Sequence, residues 1–358
     1  MKIAQFIPNL KCGGAESFVV SLSNELSKNP ENDVTIVTFY PTEPEYSLEY
    51  RLSSNVKLHL IKKRKGIDFL LPFKIARYLS KNKFDVAHFH VQAIIYSIMS
   101  AIVYRKCKHV ATIHTDAYKE ATGLHRLVRK FLFKNKLVKP VTISSESESS
   151  FKELYKINGI LIHNGVDEYI KKEDKDISKY KTTENTIVLI NVGTIYPIKN
   201  QVNIAKAVDL LIKEGYDISI LFLGKPANTE YYKKLKEYES NRIFLLGNVN
   251  YPTDYLAKCD FFILASLYEG LPISLLEALS VNIIPIVTPV GGCTDIVNER
   301  TGIIIRDQSV EAIKEAVKEA ISLTKEAKTD IRKQIHSDFE KYTTRKCAQN
   351  YMDLFINK

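Results

Sequence analysis

A chain of 358 residues, 45% hydrophobic and 26% charged, exceeds one compact core and predicts two domains of roughly 150–200 residues, while its ordinary composition excludes disorder and low-complexity repeats. The formal charge of +10 is confined to the first half: residues 1–167 carry 25 Lys and Arg against 15 Asp and Glu, and the remainder carries 26 of each. Five cysteines (Cys12, Cys107, Cys259, Cys293, Cys347) lie far apart without a CxxC pair, which speaks against a disulfide framework or structural zinc and fits a reducing cytosol.

The opening MKIAQFIPNL alternates like a strand over Ile3–Ile7 and lacks the apolar run and cleavage site of a secretory signal, so the expected location is cytoplasmic. NLKCGGAES follows, with Gly13 and Gly14 between this strand and a helix at Ala15–Lys28 whose Phe18, Leu22 and Leu26 recur every four residues. Paired glycines let a ligand approach the backbone and leave N–H groups to meet phosphate oxygens; the plainer alternative is a tight turn. Strands are expected at Val34–Phe39, Val56–Leu60, Val86–His88, His109–Ile113 and Val141–Ile143. The apolar stretch near Val91–Tyr104, about 14 residues, is too short to span a bilayer and predicts a buried helix.

Between Lys62 and Lys139 there are 18 basic and 4 acidic residues, including KKRK at 62–65. In HRLVRKFLFKNKLVK, 125–139, Leu127, Phe131, Leu132 and Leu137 are expected on one helical side with basic residues around them, the pattern of a helix lying on an anionic membrane surface. A solvated helix face is the alternative; no nucleic-acid module is present, so nucleic acid is not an expected partner.

Hydrophobic periodicity stops over 162–186. The predicted division is a first domain at 1–167, a linker at 168–185, a second domain at 186–340, and a C-terminal helix within 341–358 that can pack back on the first domain. In the second half the strands are expected at Ile187–Val192, Ile218–Leu223, Ile243–Leu246, Phe261–Leu264, Ile283–Val287 and Gly302–Ile305, with terminal helices at about 309–323 and 342–356. Strands alternating with helices predict parallel α/β sheets in both halves.

Ligands bind such sheets beyond the carboxyl ends of the strands, where loops run into helix N-termini. VGTIYPIKN, 192–200, places Thr194 and Lys199 there, and an ammonium suits a phosphate. ASLYEGLPISLLEALS, 265–280, puts Glu269 in a loop and Glu277 on a helix that starts near Ile273. Eight residues are a little over two helical turns, so both carboxylates project to one side, and each can accept the paired hydroxyls of a ribose or hexose. Gly270 and Pro272 fix the turn and expose amides at the helix start. TPVGGCTDIV, 288–297, with Gly291 and Gly292, closes the phosphate pocket. The D-x-D at Asp174–Asp176 lies in the Lys-rich linker and reads as solvated, not as a metal site.

In order, GGAE at 13–16, ATIHTD at 111–116, SSES at 144–147, NGVD at 164–167, G-x5-K at 193–199, EGLPISLLE at 269–277 and VGG at 290–292 resemble the retaining GT-B glycosyltransferases of family 4, glycosyl transferases group 1, whose hallmark is two glutamates separated by seven residues. The resemblance implies two Rossmann-like parallel-sheet domains facing each other across a cleft. It implies that Glu277 holds the ribose hydroxyls, that Glu269 contacts the transferred sugar with backbone around Gly270, Leu271 and Ile273, and that Lys199 beside Thr194 grips the diphosphate. Gly13, Gly14 and Gly292 would touch diphosphate or acceptor, His114 would lie over the reacting centre, and the loop near Val249 would read the base. Three departures stand out: Thr194 where the family has Arg, Lys225 in a loop lacking the usual GxG, and Asp295 where a Glu is usual.

The implied function is retaining transfer of a hexose or N-acetylhexosamine from a nucleotide-diphosphate sugar to a saccharide or lipid-linked acceptor in surface polysaccharide biosynthesis. UDP is the default nucleotide with GDP-mannose left open, no metal or other cofactor is expected, and the chain is placed in the cytoplasm, peripheral on the inner face of the cell membrane. A catalytically weak GT-B subunit that binds nucleotide or partner protein is the alternative that Thr194 favours, and a sugar-nucleotide epimerase of similar fold is a second rival.

Overall fold

β-Branched and aromatic runs in this chain become strands, and those in the middle of each sheet are buried on both faces, as central strands of a parallel sheet must be. In the structure, a computed structural model that describes residues 1–43 and 47–357, the chain divides into two units. One is Met1–Val166 with Lys341–Lys358, the other Asp167–Glu340. Lys358, the last residue of the expected C-terminal segment, lies outside the described residues.

The first unit's strands are β1 (Lys2–Ile7), β2 (Asp33–Thr38), β3 (Val56–Leu60), β4 (Val86–His90), β5 (Lys108–Ile113), β6 (Lys139–Thr142) and β7 (Ile160–Leu161). They form a parallel sheet in the order β3-β2-β1-β4-β5-β6-β7. Its helices are α1 (Gly14–Leu26), α2 (Leu71–Asn82), α3 (Ile98–Val103), α4 (Ala117–Glu120), α5 (Gly123–Lys134), α6 (Ser145–Tyr155) and, from the end of the chain, α14 (Thr344–Ile356). Alternation along β4 sorts the two faces. Ala87 and Phe89 join one apolar cluster with Leu71 and Ile75 of α2, Ala101 of α3, Leu132 of α5 and Phe151 of α6. His88 and His90 point the other way, toward Phe18 of α1 and toward Tyr351 and Phe355 of α14.

Residues 341–358 are thus part of the first unit. Val166 and Thr344 exchange backbone bonds with the segment's start (Val166 N–H to Tyr342 O, 2.9 Å; Thr344 N–H to Val166 O, 2.9 Å). At the far end Lys108 Nζ donates to the carbonyls of Phe355 (2.8 Å) and Ile356 (2.9 Å), a cation placed where a helix needs one.

The second unit has β8 (Ile187–Val192), β9 (Ile218–Leu223), β10 (Ile243–Gly247), β11 (Phe261–Leu264), β12 (Ile284–Val287) and β13 (Ile303–Ile304), parallel in the order β10-β9-β8-β11-β12-β13. Its helices are α7 (Gln201–Lys213), α8 (Thr229–Lys236), α9 (Pro252–Leu256), α10 (Ile273–Ser280), α11 (Cys293–Ile296), α12 (Val310–Ser322) and α13 (Lys325–Phe339). Strand order reverses at β1/β4 in one sheet and at β8/β11 in the other, the position where open α/β sheets bind ligands.

Several elements differ from the sequence expectation. The stretch 168–185 is counted with the second unit, pinned by two carboxylates. Asp254 accepts from Tyr169 Oη (3.0 Å) and from the amides of Lys172 and Glu173 (2.8 Å to the latter), and Asp217 accepts from the hydroxyls of Thr182, Thr183 and Thr186. Polar anchoring of this kind leaves no hydrophobic period to read. β4 runs two residues past His88 because His90 is buried among hydrogen-bond partners, and α13 escapes notice because Ile335 is its one buried residue. The stretch near Val91–Tyr104 is a 3-10 segment at Val91–Ser97 followed by the short α3, whose Ile102 and Val103 are exposed.

Candidate active site

In the second unit the loops after β8, β11 and β12 are stitched together at the switch point. Leu267 N–H donates to Ile198 O (2.8 Å), joining the first two, and Gly292 N–H to Gly270 O (2.5 Å), joining the last two. Thr288 Oγ1 donates to Ser266 O (2.8 Å) beneath them. Gly291 has φ +57°, and a side chain there would strike the carbonyl of Glu269, so only glycine lets the VGG loop lie this close. Gly224, at the end of β9, is packed just as tightly on the carbonyl of Gly193.

This stitching brings Lys199 and Glu269 together. Lys199 ends a 3-10 turn, Pro197–Lys199, that precedes α7 instead of lying in a helix. Its Nζ donates to Glu269 Oε1 at 2.5 Å, and Ser266 Oγ donates to the same oxygen at 2.6 Å. The lysine side chain is 25% exposed and the glutamate 9%, so the pair sits at the rim of the protein with the carboxylate inward. α10 begins at once: Pro272 is its N-cap, without a side-chain cap, and Gly270, Leu271 and Ile273 bracket its first turn. Glu277 and Ile273, one turn apart, share the half-buried side of α10 while Leu275, Leu276, Ala278 and Leu279 are buried. The start of α10, the Lys199 ammonium and the Glu269 carboxylate therefore lie on loops joined at the switch point, with Glu277 further along the same helix.

Thr194 lies between Gly193 and Ile195, its carbonyl accepting from Gln201 Nε2 (3.0 Å). Ile195 N–H donates to Lys225 O (2.9 Å), which sets Lys225 on the strand segment beside Thr194. Val249 is half-buried in the loop after β10 at the edge of this sheet, away from the β8/β11 switch point by two strands.

Gly13, Gly14 and His114 belong to the first unit. Gly13 is the N-cap of α1 and Gly14 its first residue, directly beyond β1. His114 follows β5. Its ring packs edge-on against Phe18 (5.5 Å between centroids), and its Nε2 lies 3.0 Å from Nδ1 of His90, whose Nε2 lies 2.9 Å from Gln5 Oε1. With that carboxamide oxygen as acceptor, His90 carries its proton on Nε2, His114 Nε2–H donates to His90, and Nδ1 of His114 is left as an acceptor. Beside this chain His88 Nε2, Thr112 Oγ1 and Tyr351 Oη form another, at 2.7 and 2.8 Å.

The backbone under His114 is held by a buried pair. Glu120 Oε2 accepts from His114 N–H (2.6 Å), Glu120 Oε1 from Arg129 Nη1 (2.8 Å), and Arg129 Nη2 donates to Val91 O (2.7 Å). Val91 has φ +46°, a left-handed conformation costly for a β-branched residue. Arg129, counted in the sequence among surface basic residues, is 1% exposed. Asp116 and Ser144, which look like motif residues, act as helix caps: Asp116 accepts from the amides of Tyr118 and Lys119, and Ser144 forms a capping box with Ser147. Ser266, Glu120, Arg129, His90 and Gln5 were not singled out from the sequence; the one available signal was the His-x-His of β4 in an otherwise apolar strand.

Burial, then the charge of Arg129, pushes His114 down to about 3, and burial pushes His109 down to about 4. His88 and His90 are lowered well below the ordinary value, first by burial and then by neighbouring histidines. Each is neutral when folded but would take up a proton unfolded below pH about 6.5. The unfolded chain then binds more protons, so stability is full above that value and is lost as pH falls toward the folded values. Thermal unfolding is expected at progressively lower temperature from pH ~6.5 to ~4; a constant midpoint across this range would contradict the neutral histidine chain. Among the described residues no group of three or more His, Cys, Asp and Glu could hold a metal ion.

Residues 12–168 match the family described as Glycosyltransferase Family 4, and residues 172–337 the one described as Glycosyl transferases group 1. The chain is 28% identical over 295 residues to the capsular polysaccharide biosynthesis glycosyltransferase CapH of Staphylococcus aureus, covering 78% of each. It is 28% identical over 277 residues to the UDP-Gal:alpha-D-GlcNAc-diphosphoundecaprenol alpha-1,3-galactosyltransferase of Escherichia coli, covering 71% of this chain and 70% of that one. Among solved structures, Anabaena HepE in complex with UDP superposes with a TM-score of 0.80 at 16% identity over 99% of both chains.

Proposed function

We propose that this chain, a GT-B glycosyltransferase of the group 1 family, moves a hexose or N-acetylhexosamine from a nucleotide-diphosphate sugar to a saccharide or lipid-linked acceptor with retention of anomeric configuration. The observation that carries this reading is the Lys199–Glu269–Ser266 cluster set against the uncapped start of α10. In this reading the Lys199 ammonium and the first-turn amides of α10 offset the charge that develops on the departing diphosphate. Glu269 Oε1 is held by Lys199 and Ser266, which makes this carboxylate a poor nucleophile and turns Oε2 toward hydroxyls of the transferred sugar. Glu277 is assigned to the ribose diol, and Gly13, Gly14 and His114 of the first unit to the acceptor and the reacting sugar.

Without an enzymic nucleophile, the reading is front-face attack: the acceptor oxygen bonds to the anomeric carbon as its bond to the diphosphate breaks, and the diphosphate takes the acceptor's proton. UDP is favoured as nucleotide because the Escherichia coli relative is named for UDP-Gal. The same name, and that of CapH, support a lipid-linked acceptor in surface polysaccharide synthesis, a reaction that would hold the chain at the inner face of a cell membrane. No helix among the described residues is long and apolar enough to cross one. Thr194 keeps a second reading in play, a subunit that binds nucleotide with little turnover, since a hydroxyl cannot neutralise phosphate; Lys225, on the neighbouring segment, is the cation that would replace the missing Arg.

The test is a thermal-shift panel of UDP, GDP and their sugars followed by transfer of the labelled sugar, with the product anomer assigned by NMR. A ligand at a hundred times its Kd stabilises the folded chain by about 2.7 kcal/mol, so UDP is expected to raise the midpoint clearly and GDP less. An inverted product would overturn the retaining mechanism, and nucleotide binding with no acceptor-dependent turnover would leave the weak-subunit reading.

A further inference from the structure

Two of the places where the first unit exposes apolar side chains lie on the same side of its sheet. The connection from β3 into α2 exposes Phe69 (74%) and Leu70, and α2 exposes Phe73, while Leu71, Ile75 and Leu79 face the core. On α5, Leu124, Leu127 (64%) and Phe131 are exposed at i, i+3 and i+7, and Leu132 and Phe133 are buried on the opposite stripe. The sequence placed Leu132 with Leu127 and Phe131; at 100° per residue it points inward instead. A globular helix needs one apolar face, so α5 has a second one to account for.

α2, α3 and α5 pack on the same side of the sheet through one apolar cluster, with α3 touching both neighbours. Lys74 Nζ of α2 donates to Lys62 O (3.5 Å), and Lys63 Nζ lies 5.8 Å from the ring centroid of Tyr96 in the 3-10 segment that packs against both α2 and α5, so the KKRK run sits on this side of the sheet. Lys62, Arg64 and Lys65 are exposed on that run, as are Lys130 and Lys134 on α5. The second half of the chain is balanced at 26 basic and 26 acidic residues, so the excess is local to this region and not a general Lys bias.

We propose that this face docks on an anionic phospholipid bilayer, with Phe69, Phe73, Leu127 and Phe131 entering the interfacial layer and the Lys62–Lys65 run, Lys130 and Lys134 lying over the headgroups. Aromatic and leucine side chains ringed by lysines match the two attractions such a surface offers, apolar burial and negative surface potential. A second copy of the chain fits poorly, because face-to-face pairing would oppose two basic rims. The inference deepens the lipid-linked acceptor reading, since it would hold the enzyme where such an acceptor resides, and it rests on that reading only for its purpose.

The experiment is co-sedimentation of the full chain with phosphatidylcholine vesicles and with vesicles containing phosphatidylglycerol, at low and high salt. Anionic vesicles are expected to bind the chain and neutral ones to bind it poorly, with salt weakening the interaction. The variant Phe69→Ser/Phe73→Ser/Leu127→Ser/Phe131→Ser is expected to lose roughly tenfold or more in vesicle affinity, and Lys62→Glu/Lys65→Glu to lose the preference for anionic lipid. These positions are exposed, so the thermal midpoint and its shift by UDP should be unchanged. That shift also separates the two ideas: failure of vesicle binding with nucleotide binding intact sinks the docking face alone, and the converse sinks the transferase assignment alone. Equal binding to neutral and anionic vesicles, an unchanged affinity in the serine variant, or a dimer in solution that the serine variant dissolves would each overturn the proposal.

Discussion

Lys199→Met is expected to lower kcat/KM for the nucleotide-sugar by about 10²–10³-fold, most of it in kcat, the usual effect of removing one preorganised charge from a transition state that builds negative charge. The geometry gives two reasons. The ammonium is the cation that the stitched loops bring against Glu269, and it lies on a short 3-10 turn fixed by Leu267 N–H on Ile198 O, so little reorganisation is needed when the diphosphate departs. Removing it also leaves the Glu269 carboxylate, 9% exposed, with Ser266 as its remaining partner at Oε1. Glu269→Gln preserves shape and the bond from Ser266 but removes the negative partner of Lys199, and the expected loss is comparable. Glu277→Gln, on the helix one turn beyond Ile273, should act on KM for the donor instead, because a ribose diol is held equally in ground and transition states. Steady-state release of the nucleotide measures all three. A Lys199→Met enzyme within a few-fold of wild type would remove the cluster from the chemistry.

Lys199 and Glu269 were each legible in the sequence as residues of loops that leave a parallel strand, because strand runs such as Ile187–Val192 and Phe261–Leu264 are buried on both faces and read without ambiguity. Their pairing was not legible. It depends on which strands become neighbours: Lys199 and Glu269 are 70 residues apart, and β9 and β10, which come between β8 and β11 in the chain, lie elsewhere in the sheet. Gly291 shows the same limit from another side: the GG pair was read as a phosphate loop, whereas the carbonyl of Glu269 is what forbids a side chain there. Arg129 and Leu132 were misplaced because a basic helix with apolar residues on two sides has no single hydrophobic direction, and the partner that decides the matter for Arg129, Glu120, sits on a different helix. His90 was missed because a second polar residue two places after His88 reads as lying beyond the strand's end; here Gln5 and His114 supply the partners that burial requires.

The largest loss of stability is expected from Glu120→Ala, at about 3–5 kcal/mol, because it leaves a buried guanidinium without its counter-charge. Arg129 and Glu120 are 1% and 7% exposed, so neither can turn to water without opening α5. For a unit of this size the thermal midpoint should fall by roughly 10 °C. Arg129→Met alone is expected to cost less if Val91 can leave its left-handed conformation once the guanidinium releases its carbonyl, and comparably if it cannot. The double variant Glu120→Ala/Arg129→Met removes both charges and should recover much of the loss, the non-additivity expected of a buried pair. It should not recover turnover: the amides of His114 and Thr115 would still lack the carboxylate that accepts from them, so the loop carrying His114 would be stable around it but free to shift. Denaturant unfolding of the three variants beside their kcat separates the pair's role in folding from its role in holding His114. Single variants that each cost under about 1 kcal/mol would remove the pair from folding, and a double variant with wild-type kcat would remove it from holding His114.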